Sequence, residues 1–188
     1  MITYTFCLIR QGTRILLLNR EFPAWMGCWN GVGGKIEQGE QPRASMLREI
    51  AEETNLQPDV ISFKGLITWS SDGANLGGMY IYLAEIPEQQ VYPTPIKTNE
   101  GILDWKELEW IMNPKNQGIA TNIPSCLEKI LNEDQHYDHH SIFENGKMTT
   151  QISTKVDSRI EYDENLRDDY LSRYFKFNMG SEQAFLNR

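Results

Sequence analysis

A chain of 188 residues and 21.8 kDa with a net charge of −8 and a pI of about 4.9 fits one folded domain with an appendage. Its apolar fraction of 40% supports a real core, while the acidic balance argues against stable nucleic-acid binding, which relies on basic patches. Cys7, Cys28 and Cys126 lack metal-ligand spacing, no basic leader precedes the strand-like start, and no apolar run reaches membrane length. A cytoplasmic protein with no membrane partner is expected.

Thr3 to Arg10 and Arg14 to Asn19 read as two strands joined in a hairpin at Gln11-Gly12-Thr13. An aromatic-rich loop, Glu21 to Cys28, leads to a short strand over Trp29 to Val32. Pro42 opens a helix in the first turn, where proline is tolerated, and Asn55 closes it. Ala44, Leu47, Ile50 and Ala51 form its expected apolar stripe. Val60 to Ser70 and Met79 to Ile86 read as strands, and Pro87 to Pro95 as a connection. Gly101 to Trp105 reads as another strand, turning into a short helix over Trp105 to Ile111. Pro124 to Leu131 is a second long helix with Leu127, Ile130 and Leu131 inward.

After residue 132 the chain becomes more polar. Gln135-His136-Tyr137-Asp138-His139-His140 reads as a solvated linker, with transition-metal binding as the alternative. A hairpin is expected around Asn145-Gly146, then a helix spaced on Leu166, Tyr170, Tyr174 and Phe177. The expected division is a domain over 1–132 and a C-terminal extension over 133–188. The extension covers the substrate mouth, packs on the sheet or forms a homodimer contact, and the sequence leaves these open.

The chemistry concentrates between Gly34 and Leu56. Glu49, Glu52 and Glu53 sit at i, i+3 and i+4, so a helix places them on one face. Like charges gathered there cost free energy unless neutralised, and a hard divalent cation, which takes oxygen ligands, neutralises them. A glycine-rich turn, Gly31-Val32-Gly33-Gly34-Lys35, enters the same region. A solvated acidic face with pairs such as Arg48–Glu52 is the plainer reading. Against it, Gly34, Glu40, Arg48, Glu49, Glu52 and Glu53 coincide in this spacing by chance at roughly one start position in ten million.

This pattern resembles the Nudix box: Gly, five residues, Glu, seven residues, Arg-Glu-apolar-x-Glu-Glu-x-Gly-apolar. The chain departs from it only at Asn55, where the family has a glycine. Asn is the next most tolerant residue for a left-handed helix end, so little should change. The resemblance implies an α/β fold, an α/β/α sandwich with a mixed β-sheet. It implies Mg²⁺ or Mn²⁺ held by Glu49, Glu52, Glu53 and the Gly33 carbonyl. Gly34, Glu40 and Arg48 then carry the structure of the motif, and Lys35 offsets phosphate charge or is simply exposed.

Further residues follow from similarity to MutT-type sanitising hydrolases. Glu100, shortly before Trp105, corresponds to an acid that binds metal or orients the nucleophilic water; an exposed loop glutamate is the alternative. The general base is left between Glu53 and Glu100. Trp29-Asn30-Gly31-Val32-Gly33-Gly34-Lys35 resembles a segment in which the Asn side chain reads a purine, as an amide can. Asn122, in an Asn-x-Pro context, is either a second base reader or a helix N-cap. The implied reaction is hydrolysis of a small-molecule nucleotide, a purine nucleoside triphosphate such as 8-oxo-dGTP, to monophosphate and pyrophosphate. Hydrolysis of an ADP-ribose or nucleotide-sugar compound and a non-catalytic nucleotide-binding module are the rivals.

Overall fold

The computed structural model describes residues 2–72 and 75–172. Nine strands among them form one mixed sheet. They are β1 (Tyr4–Gln11), β2 (Arg14–Arg20), β3 (Trp29–Asn30), β4 (Ile61–Ser71), β5 (Asn75–Glu85), β6 (Ile96–Lys97), β7 (Gly101–Glu107), β8 (His136–Glu144) and β9 (Lys147–Val156). Their order is β6-β7-β2-β1-β5-β4-β8-β9, with β3 beside β2. The β1–β5 and β4–β8 pairs are parallel; the other neighbours run antiparallel.

The central strands β1 and β2 are buried or half-buried at nearly every position because both faces of the sheet are covered. Cys7, Ile9, Leu16 and Leu18 point to one face and pack with Met46 and Ile50 of helix α1 (Pro42–Thr54). Phe6, Leu8, Ile15 and Leu17 point to the other and pack with Ile123, Cys126, Leu127 and Ile130 of helix α3 (Asn122–Asn132). Each of these side chains contributes roughly 1.5–3 kcal/mol if it is large and fully buried. Helix α2 (Leu108–Ile111) is one turn, because β7 runs on to Glu107 where a helix was expected.

Several expectations need correcting. In α1 the buried positions are Pro42, Ser45, Met46, Ile50 and Thr54, whereas Ala44 and Leu47 are exposed. The helix is rotated so that Met46 and Ile50 meet β1 and its motif acids lie alongside the glycine turn. The strand expected over Trp29 to Val32 ends at Asn30, and Val32 joins Cys7 by a two-way backbone bridge of 2.8 and 3.1 Å. The second strand of the long hairpin starts at Asn75, ahead of Met79.

The largest correction concerns the histidine-rich stretch. It is neither linker nor metal cluster but β8, and Tyr137, Asp138, His139 and His140 are buried. Hydrogen bonds make this possible. The Thr68 hydroxyl lies 2.8 Å from Asp138 Oδ1 and 2.8 Å from His140 Nδ1, and Tyr170 donates to Asp138 Oδ2 at 2.9 Å. His139 Nδ1 meets Ser153 Oγ at 2.8 Å. A 3-10 turn (Ser158–Glu161) and a helix over 164–172 return the chain to the α1 face, where Ile160, Leu166 and Tyr170 join the core. Tyr174 and Phe177 lie outside the described residues.

Candidate active site

Helix α1 starts at Pro42 and stops at Asn55, which adopts φ 56° and ψ 14° and donates its N–H to Ala51 O at 2.9 Å. The left-handed end is thus made by Asn in place of Gly. One turn earlier the ridge of acids faces the glycine turn. Gly33 has φ +146°, and a Cβ there would collide with the Thr5 carbonyl. At Gly34 a Cβ would collide with the Glu49 carboxylate, so the main chain lies directly against that acid.

Arg48 organises the ridge. Its Nε and Nη2 donate to Glu40 Oε1 and Oε2 at 3.0 and 2.9 Å, a bidentate clamp. Nη1 reaches Glu49 Oε1 at 2.8 Å and Glu52 Oε2 at 3.1 Å, and Nη2 reaches the Lys35 carbonyl at 3.3 Å. The Arg48 hydrogen bonds hold the Glu40 carboxyl down at about 2. Glu40 and Arg48 therefore tie the loop to the helix. Glu52 remains 61% exposed at its side chain.

Glu53 behaves differently. The Gly33 N–H donates to its Oε1 at 3.4 Å, while its Oε2 is buried with no hydrogen-bond partner. Burial pushes the carboxyl up from the ordinary 4.5 to about 8; Glu49 and Glu100 add to the rise, and the Gly33 N–H and Arg20 oppose it. Glu100, before β7, pairs with Arg20 Nη2 at 3.8 Å, so both groups act on Glu53 across the site.

Among the described residues no three acids or other ligating side chains converge on one point, because Arg48 draws Glu49 and Glu52 while Glu53 leans on Gly33. The donor set nevertheless fits a hard divalent cation. It offers carboxylates and a glycine main chain, and the unpartnered Glu53 oxygen is the kind of buried acid that a cation compensates.

Beside the ridge opens a cleft of about 630 Å³. The glycine turn forms one side, with Asn30, Gly31, Gly33 and Gly34. Apolar walls come from Phe6, Ile67, Trp69 and Met79, and Trp25 meets Phe143 of β8 across the cleft with ring centroids 6.2 Å apart. Asn30 Oδ1 accepts from the Gly31 N–H at 3.0 Å, which turns its NH₂ away as a spare donor. Asn122 also lines the cleft. It does not cap α3, whose N-cap is Thr121, and its Oδ1 is buried and unpartnered.

The structure thus places Asn30 and Asn122 in the walls of the cleft. Glu49 and Glu53 lie behind the Gly33–Gly34 turn that forms one side, Glu100 beside the lining residue Arg20, and Glu52 further out on the Arg48 guanidinium. Lys35 is exposed and is not part of the lining. Sequence reasoning missed Arg20, Thr5, Ser141 and Phe143, all of which line the cleft. Arg20 ends an apolar strand, a modest signal that was available. Ser141 and Phe143 gave none.

A family model of the NUDIX domain matches residues 2–120. The oxidized purine nucleoside triphosphate hydrolase of Mus musculus is 32% identical over 109 residues, which is 57% of this chain and 67% of that protein. The protein of the same name from Danio rerio is 30% identical over 129 residues, 66% and 79% of the two chains. The crystal structure of a MutT protein from Bacillus halodurans shares the fold with a TM-score of 0.66, covering 80% of this chain and 95% of that one at 21% identity. This chain belongs to the Nudix family. Within that family it is a hydrolase of the MutT type.

Proposed function

We propose that the protein hydrolyses a purine nucleoside triphosphate, with oxidised forms such as 8-oxo-dGTP in the class, to the monophosphate and pyrophosphate. The observation that carries this reading is the adjoining of two unlike sites. An apolar cleft with two amides, Asn30 and Asn122, shares its Gly33–Gly34 side with the acidic ridge, where Glu49 and Glu53 lie against the same turn. The names of the mouse and zebrafish relatives support the same substrate class.

Glu49, Glu52, Glu53, Glu100 and the Gly33 carbonyl would hold Mg²⁺ or Mn²⁺. When bound, the cation neutralises the polyphosphate and lowers the energy of charge developing on it. The protein's own groups do the rest. Arg48 and Glu40 keep the ridge in register. The water oxygen attacks one of the two phosphorus atoms joined by the α–β bridge, the bond from that phosphorus to the bridging oxygen breaks, and the electron pair stays on that oxygen, which departs with the other product. The water's proton passes to a carboxylate, Glu53 or Glu100. Asn30 and Asn122 hold the base, and Lys35, outside the lining, offsets phosphate charge from the exposed end of the glycine turn. Such an enzyme works on the free nucleotide pool of the cytoplasm and needs no nucleic-acid or membrane partner. In this reading residues 1–132 are the hydrolase domain, and 133–188 are an extension that lends the cleft part of its wall.

The test is pyrophosphate release from a panel of purine triphosphates with Mg²⁺. Turnover confined to ADP-ribose or nucleotide sugars would replace the substrate class. Tight nucleotide binding with no turnover at all would replace the enzyme with a binding module.

A further inference from the structure

Ser141 and Gln151 are cross-strand partners in the β8–β9 hairpin, far in sequence from the Nudix box. Gln151 Nε2 donates to the main-chain carbonyl of Asn122 at 3.3 Å and to Ser141 Oγ at 2.9 Å. A carbonyl can only accept, so the Asn122 contact fixes which end of the amide faces inward. The second bond then fixes Ser141. Its oxygen is engaged as an acceptor, which leaves its own proton to be donated elsewhere. Ser141 is 1% exposed and lines the cleft. Next to it stands Asn122, 7% exposed, whose side-chain oxygen is buried without a partner and needs a donor.

We infer that the C-terminal hairpin forms the selective wall of the base subsite. Ser141 is a substrate-contacting donor and Gln151 the positioning residue that sets its polarity. The inference rests on the nucleotide reading of the cleft given above. The ligand it selects is a purine whose edge sets a hydrogen-bond acceptor, for the Ser141 hydroxyl, beside an N–H donor, for Asn122 Oδ1. Adjacent groups of this kind occur on 6-substituted purines and are incomplete on the unsubstituted ring. The walls of the subsite are apolar, so each unmatched polar group there weakens binding.

The experiment is steady-state kinetics on the full chain with Mg²⁺, using the best 6-substituted purine triphosphate, unsubstituted purine triphosphate and tripolyphosphate. Gln151→Glu keeps the shape but replaces a donor with an acceptor, so the Ser141 proton turns back from the cleft. Ser141→Ala removes it, and Gln151→Met releases it without adding charge. Each variant should raise KM for the 6-substituted purine about tenfold, with kcat within about twofold of the parent. Combining Ser141→Ala with Gln151→Glu should be no worse than either alone. The unsubstituted purine, which offers only part of the pair, should lose less, and tripolyphosphate should be nearly unaffected. Parent-like KM in Gln151→Glu and Ser141→Ala, in proteins that melt like the parent, overturns the inference alone. So does an equal loss of kcat on all three substrates. A parent that turns over no purine triphosphate overturns the functional reading and this inference with it.

Discussion

Arg48 grips Glu40 with two parallel hydrogen bonds, Nε to Oε1 at 3.0 Å and Nη2 to Oε2 at 2.9 Å, across the gap between the glycine turn and α1. The same guanidinium steadies Glu49 and Glu52. Lysine keeps the charge but not the fork. Arg48→Lys should therefore lower kcat/KM about ten- to a hundredfold by loosening the acids. Its far-ultraviolet circular dichroism should match the parent. Titration with Mn²⁺ should show the loss as weaker binding.

Glu53→Gln should abolish turnover while the protein stays folded. It also has a pH signature. The folded-state carboxyl sits near 8, above its ordinary 4.5. Stability from this group is fully present below about 4.5 and is lost as pH rises through about 8. Without divalent cation, the parent should lose thermal stability from pH 5 to pH 9. Glu53→Gln should lose less, and should melt about 4 °C above the parent at pH 9. Melting curves in a chelator across that range decide it; identical slopes would remove the buried-acid assignment.

The two glycines separate structure from activity. Gly33→Ala combines an unfavourable φ with a collision against the Thr5 main chain, so it should destabilise by about 2 kcal/mol or more. At Gly34 the added methyl meets the side-chain carboxylate of Glu49, not main chain. Gly34→Ala should keep most of its stability but lose activity about tenfold or more, as the acid is displaced. Urea melts beside kinetics distinguish the two.

Two buried groups on β8 should oppose each other in acid. Burial raises Asp138 from 3.8 to about 6, against the pull of Thr68 and Tyr170, so its contribution is present below about 4 and is lost as pH rises through about 6. Burial lowers His139 from 6.5 to about 4, so its contribution is present above about 6.5 and is lost as pH falls through about 4. Asp138→Asn should make stability fall more steeply on acidification from pH 7 to pH 4.5. His139→Phe should make it fall less steeply. Thermal melts across that window test both, and slopes that change in the same direction would refute the pairing.

Much of the acidic ridge was legible because its signals are local. The i, i+3, i+4 acids, the proline start and the Asn55 stop all act within one helix. The β1–β2 hairpin was legible from its apolar runs and Gly12. The β8 side of the cleft was not. His139 and Asp138 read as exposed because their partners are remote: Ser153 lies on the next strand, and Thr68 and Tyr170 lie on elements that only the fold assembles. Polarity without a visible partner looks like solvent contact. The facing of α1 failed for a related reason, since its sequence alone does not say whether Leu47 or Met46 meets the sheet.

The parallel seat of β8 against β4 also orders events in time. A ribosome releases the acids of α1 long before Ser141 and Gln151 emerge, and a parallel pairing must wait for its crossover. The nascent chain therefore acquires its acidic ridge first and the Ser141–Gln151 side of the cleft last. A polypeptide halted at the close of α3 would leave β4 as a bare margin, open to foreign strands.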